Sequence, residues 1–336
     1  MTGSTSDRAN GSTSERMTGS TSHRASGGTN EPMTGGTNDH VSGGTSHRMA
    51  GDTSDRTTGS AAGRPGVDAQ GRLMREGSLA CVPRSFRPVV DAAGKRLTDV
   101  FGPRLHSAYL YGSVPRGTAR VGRSDLDLLL ALHEEPTGTD RADALALGAA
   151  LDGEFGQIDG CGTLLFSRAR LLSDLERYDL GWFVACLCTP LLGEDLAARL
   201  PRYRPHTLLA RETNGDLHLL LPRWRRRIDD ANHAEDTAGA RRTLVRALSR
   251  HLVRTGFTLV MPRWNGWTSD LREMAEAFAG FYPERAGQMR DAAVLGLEPT
   301  GDAVVLRSYV DDLGPWLAGE YARVHGVKAP RPPGWS

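Results

Sequence analysis

The chain has 336 residues, length for about two domains, and its 41 Lys and Arg against 40 Asp and Glu leave a net charge of +1. That balance gives no electrostatic reason to expect a nucleic-acid or anionic-membrane partner, and the longest apolar stretch, Leu180 to Leu192, is too short to span a bilayer. Cys81, Cys161, Cys186 and Cys188 form no zinc-like pair of CxxC motifs, and the first residues carry no apolar signal core, so the chain reads as a cytoplasmic protein with reduced thiols.

Residues 1–64 are eight octapeptides, from MTGSTSDR to TTGSAAGR, each with Gly at its third position. Almost nothing in them can be buried to offset the entropy of ordering, which predicts a disordered tail. His23, His40 and His47 are scattered singly in it and read as solvated, not as a metal site. A tail that adjusts solubility and a true translation start near Met74 are both open readings. Residues 65–85, with Pro65-Gly66, Gly71 and Gly77, read as a linker. From Phe86 the composition becomes globular. Phe86, Val89, Val90, Leu97 and Val100 predict a helix of about fourteen residues, with Gly102-Pro103 as its stop.

Ala108 to Tyr111 is short, apolar and rich in β-formers, a strand that runs into Gly112-Ser113. A tight turn and a helix start both fit there, and a helix start offers free N–H groups to a phosphate. A polar loop follows, then Ser124-Asp125-Leu126-Asp127-Leu128-Leu129-Leu130. Residues two apart on a strand share a face, so Asp125 and Asp127 aim two carboxylates at one point. Such a pair repels unless a cation lies between, and hard oxygen ligands favour Mg²⁺. A phosphate cradle beside a carboxylate clamp suits the movement of a nucleotidyl group.

Gly112-Ser113, Gly117-Thr118 and Ser124-Asp125-Leu126-Asp127 together resemble the signature of the DNA polymerase β-type nucleotidyltransferase superfamily. The form Tyr111-Gly112-Ser113-x-x-Arg116-Gly117-Thr118 is nearest to the bacterial aminoglycoside adenylyltransferase-like proteins. The resemblance is specific from about Leu105 to Leu132 and looser to about Leu200. It implies an α+β fold: a small mixed nucleotidyltransferase sheet with flanking helices over 86–200, followed by an α-helical bundle over 201–336. It implies that Gly112, Ser113, Arg116, Gly117, Thr118 and Ser124 hold the nucleotide, and that Asp125 and Asp127 hold Mg²⁺ with a third carboxylate from a later strand. The reaction it implies is transfer of a nucleoside monophosphate, AMP from ATP or its counterpart from another triphosphate, onto an acceptor hydroxyl. An aminoglycoside-like antibiotic, and so antibiotic resistance, is the first expectation for that small-molecule acceptor. A protein hydroxyl, as in AMP-adding enzymes of toxin–antitoxin type, and a nucleotide-binding module without turnover are the alternatives.

Beyond Leu132, a helix is expected from near Thr139, with Leu145, Leu147, Leu151 and Phe155 on its apolar face. Thr163 to Phe166 is a second β-like run, and Asp159 at its start is the candidate third carboxylate, as metal ligand, general base or both. Asp159 as a loop cap, and Glu154 on the preceding helix, are the alternatives. Leu171 to Tyr178 reads as a short helix. Trp182 to Leu192 is an apolar run broken at Pro190 and Gly193, whose end resembles the last strand and turn of the family's catalytic domain.

From about Pro201 the pattern is helical. Leu244, Val245, Leu248, Leu252 and Val253 form one stripe; Leu271, Met274, Phe278 and Phe281 form another, after a cap at Thr268 or Ser269. A last helix is expected over Tyr309 to His325. Arg223, Arg225, Arg226 and Arg227 are either a solvated helix face or a contact for triphosphate or an RNA backbone. Trp264 and Trp267 either stack on a base or sugar or fold back onto the core.

Overall fold

In this computed structural model the described residues are 65–332; the octapeptide tail lies outside them. The first helix, α1 (Arg87–Phe101), buries Val89, Val90, Ala93, Leu97 and Phe101 and stops at Gly102. Then come β1 (Leu105–Tyr111), the four-residue α2 (Ser113–Arg116), β2 (Leu126–Leu132), α3 (Gly138–Glu154) and β3 (Cys161–Ser167). The sheet closes through α4 (Arg168–Leu171), α5 (Leu180–Leu187) and β4 (Thr189–Gly193).

The strand order is β3-β2-β1-β4, with β2 and β3 parallel and the other two pairs antiparallel. This is a small mixed sheet with flanking helices. The continuous run Leu126–Leu132 lacks polar alternation beyond Asp127 because both faces of β2 are covered. Leu126, Leu128, Leu130 and Leu132 pack with Val89, Leu97 and Leu151 of α1 and α3. Leu129 and Ala131 point the other way, into a core with Trp182, Phe183 and the C-terminal helices.

Those helices are α6 (Thr207–Asn214), α7 (Leu217–Asn232), α8 (Thr237–Trp264), α9 (Leu271–Ala279), α10 (Ala286–Leu297), α11 (Ala303–Ser308) and α12 (Gly314–His325). Of these, α8 is the axis: 28 residues, whose Leu244, Val245, Leu248, Leu252 and Val253 are buried as their spacing predicts.

Several expected elements differ in detail. The helix expected over Leu171–Tyr178 is not formed: α4 ends at Leu171 and turns follow it. Ser173 Oγ donates to the Arg170 carbonyl and accepts from the Glu176 N–H, offering the backbone a turn in place of a helix. The apolar run Trp182–Leu192 divides into α5 and β4, and Pro190 is tolerated because β4 is an edge strand. Leu145 stands 70% exposed; the buried face of α3 is Ala144, Leu147, Gly148 and Leu151. The last helix starts six residues early, at Ala303, and passes through a π-helical turn at Tyr309–Leu313.

Two flanking segments bind the halves together. The stretch 65–85, expected as a linker, runs as a strap. Leu73 N donates to the Tyr203 carbonyl, Glu76 N to Cys186, Ser78 N to Pro115, and Trp267 N donates back to Pro65. At the other end Lys328 Nζ reaches Asp179 at 2.6 Å and Asp216 at 3.3 Å, and Arg331 Nε reaches Glu176 at 3.1 Å. Among the described residues no helix is long and apolar enough to cross a membrane.

Candidate functional site: two carboxylates under an arginine ladder

The β1–β2 register pairs Tyr111 with Asp127, so the Gly112-Ser113 turn leaves β1 beside the start of β2. Gly112 has φ +80° and Gly117 φ +79°, both in the left-handed region, and they bracket α2 tightly. Thr118 N donates to the Ser113 carbonyl, and Arg120 N donates to Ser124 Oγ at 2.9 Å, which folds the connecting loop back on its own ends. Ser124 and Thr118 thus fasten the loop.

Ser113 is buried, yet its Oγ has no hydrogen-bond partner among the described residues. Nor do Nε and Nη2 of Arg116 or of Arg120. Buried donors without partners cost free energy. Their gathering around one loop marks a place shaped for a polar, acceptor-rich ligand.

Asp125 precedes β2 and Asp127 is its second residue; both are half-buried. Burial pushes the Asp127 carboxyl up to about 7, with the charge of Asp125 adding to the shift. Burial likewise raises Asp125, followed by the charge of Asp159. Opposed to them is a row of arginines from α8. Arg250 and Arg246 pull Asp125 down; Arg116, Arg250 and Arg254 pull Asp127 down. The Arg254 guanidinium is itself pushed down to about 9, chiefly by burial and then by Arg250 and Arg116. Two mutually repelling carboxylates thus lie in the field of Arg116, Arg246, Arg250 and Arg254.

The structure brings Asp159 beside Asp125, its N–H donating to the Ser124 carbonyl at 3.1 Å. It does not place Asp159 in the row of facing side chains. That row on β3 is Gly160 and Gly162: a Cβ there would lie 3.4 Å from Asp125 Oδ1 and 3.5 Å from Asp127 Oδ1 respectively. Leu164 and Phe166 continue the same face, while Cys161 and Leu165 belong with α1 and α3. Asp159 lies two residues before β3 and is exposed, and its charge is the largest that acts on Asp125. Glu154 closes α3 and is tied to Arg96, away from the pair.

Asp125 and Asp127 fit a divalent cation of the Mg²⁺ kind, which takes one or two carboxylates and completes its shell from phosphates and water. Among the described residues no group of three or more His, Cys, Asp or Glu side chains is placed to hold a metal.

Sequence reasoning missed Glu76, Arg120 and the three α8 arginines. The signal for the last was present: Arg242, Arg246, Arg250 and Arg254 recur at i+4 through a helix that is otherwise apolar over its second half. Of the α7 arginines that it singled out, Arg223, Arg225 and Arg226 are exposed and Arg227 is half-buried. Trp267 folds back: it is buried against Trp182 and Phe257.

No protein-family model matches this sequence, and no curated protein does. Solved structures that match include a spectinomycin adenyltransferase from Enterococcus faecialis with ATP and spectinomycin. It is 14% identical, with a TM-score of 0.43, over 70% of this chain and 98% of that one.

Proposed function

We propose that this protein is a metal-dependent nucleotidyltransferase, moving a nucleoside monophosphate from a triphosphate, ATP first among them, to an acceptor. The observation that carries the reading is the pairing of Asp125 and Asp127 with unclaimed phosphate-type donors at Ser113 and Arg116.

In this reading Ser113 and the Gly112 turn grip the outer phosphates, and Arg116 with Arg250 and Arg254 supplies positive charge along the triphosphate. Asp125 and Asp127 hold Mg²⁺, which when bound neutralises the phosphates and stabilises charge as pyrophosphate leaves. Gly160 and Gly162 leave bare backbone beside the two carboxylates, so an acceptor can approach them closely. An acceptor hydroxyl, as on an aminoglycoside, must give up its proton; Asp159 is the nearest further carboxylate on the β3 side.

The test is transfer of label from α-labelled ATP in Mg²⁺ to aminoglycosides, to polypeptides of a cell extract, and to bulk tRNA. Asp125→Ala and Asp127→Ala are each expected to slow transfer on the order of 10²–10³-fold. Transfer that survives the double change sinks the proposal. One observation favours a second reading, a module that holds nucleotide without turnover: Gly160 and Gly162 face the pair, and among the described residues no group of three His, Cys, Asp or Glu is placed to hold a metal. Nucleotide binding with no transfer to any acceptor class would decide for it.

A further inference from the structure

Glu76 belongs to no regular element, yet it is fixed from three remote stretches of chain. Its Oε2 accepts from Arg116 Nη1 at 3.2 Å and from Ser269 Oγ at 2.7 Å; its Oε1 accepts from Trp267 Nε1 at 2.8 Å. Its own N–H donates to the Cys186 carbonyl. The carboxylate is mostly buried, with 17% of the side chain exposed, and cannot follow Arg116 if Arg116 moves. Together they border a cleft of about 330 Å³ that Thr118, Ser269 and Asp270 also line.

The contact with Glu76 takes only Nη1 of Arg116. Nε and Nη2 are buried and have no hydrogen-bond partner among the described residues. A guanidinium released by Glu76 is free to turn, and turning would withdraw Nε and Nη2 from the loop.

We propose that Glu76 is a positioning residue: it holds Arg116 by Nη1 so that Nε and Nη2 stay available to the triphosphate. The inference rests on the nucleotidyltransferase reading. It also explains why a carboxylate, which repels phosphate, is built beside a phosphate site.

The experiment is a double-mutant cycle on MgATP affinity, measured by calorimetry with the full chain. Glu76→Gln and Arg116→Gln are each expected to weaken binding on the order of tenfold, the scale of a charge-assisted hydrogen bond. The double variant should bind no more weakly than Arg116→Gln alone, because Glu76 acts through Arg116. Losses that multiply, or an unchanged affinity in Glu76→Gln, overturn the proposal. A role in holding the strap alone would move the melting temperature and leave the cycle additive. Should Glu76→Gln not fold, Glu76→Asp keeps the charge one methylene short and runs the same cycle. If the parent protein binds no MgATP, the nucleotidyltransferase reading falls and this inference with it; binding with an additive cycle removes the inference alone.

Discussion

Asp127 carries the sharpest conflict in the chain: a carboxylate set among four buried leucines, with a second carboxylate two residues away. Its consequence is a pH dependence of stability whose sign can be worked out. In the unfolded chain the group ionises near 3.8, and in the folded one near 7. Between those values the folded state holds the proton and the unfolded state does not, so the contribution to stability is fully present below the lower value and lost as pH rises through the upper. We expect Asp127→Asn to be more stable than the parent at pH 8 and to lose that advantage by pH 4. Mg²⁺ should raise the melting temperature of the parent more at pH 8 than at pH 5, and should do little for the variant. Thermal melts at the two pH values, with and without the ion, check both statements.

At the level of elements, the site depends on how tightly α2 turns between its two glycines. A Cβ on Gly117 would sit 2.9 Å from the Cys81 carbonyl oxygen, with φ +79°. Gly122 has a similar φ of +69° but open space around its Cα. Gly122→Ala should therefore cost about 1–2 kcal/mol, the left-handed penalty alone, and Gly117→Ala roughly 1–3 kcal/mol more. Urea unfolding of the two variants separates backbone strain from the collision with Cys81; equal losses would remove the collision.

The same element shows why some of the fold could be read from the sequence and some could not. Tyr111-Gly112-Ser113 and the leucine run after Asp125 are local signals, because turn chemistry and burial on two faces leave a mark within ten residues. The stripe of α8 is local too, since packing on one side imposes its period. Glu76 is different: its partners are Arg116, Trp267 and Ser269, and no pattern near it announces them. The surroundings of Asp159 have no local mark either: it lies two residues before β3, and Gly160 and Gly162 take the positions that face Asp125 and Asp127. Leu171 to Tyr178 looked helical by composition, and one serine hydroxyl outweighed that preference.

For the whole molecule, the two halves share one core. A single cluster of buried side chains runs from Tyr109 and Leu129 in the sheet through Trp182 and Trp267 to Phe257, Phe278 and Tyr321 in the helices. Lys328 adds a polar tie where Asp179 and Asp216, from either half, converge on one ammonium group. Burial pushes Asp179 up to about 6, and Lys328 pulls it back. Lys328→Ala leaves Asp216 without this cation and Asp179 with Arg331 alone at 3.7 Å, and should cost about 3–5 kcal/mol. Because the core is continuous, chemical unfolding of parent and variant should each show one transition with a shared midpoint by fluorescence and circular dichroism. Two separated transitions would mean that the halves unfold independently.

The strap has a consequence for the order in which the protein comes into being on the ribosome. The sheet has all its strands once Gly193 has emerged, but Glu76 must wait for Trp267 and Ser269, roughly seventy residues later. At about 5–20 residues per second that is a delay of several seconds. During it Arg116 has no fixed carboxylate to hold it. A nascent chain halted between Gly193 and Trp267 thus has all four strands of the sheet but neither Trp267 nor Ser269, and the cleft beside Arg116 is not yet set.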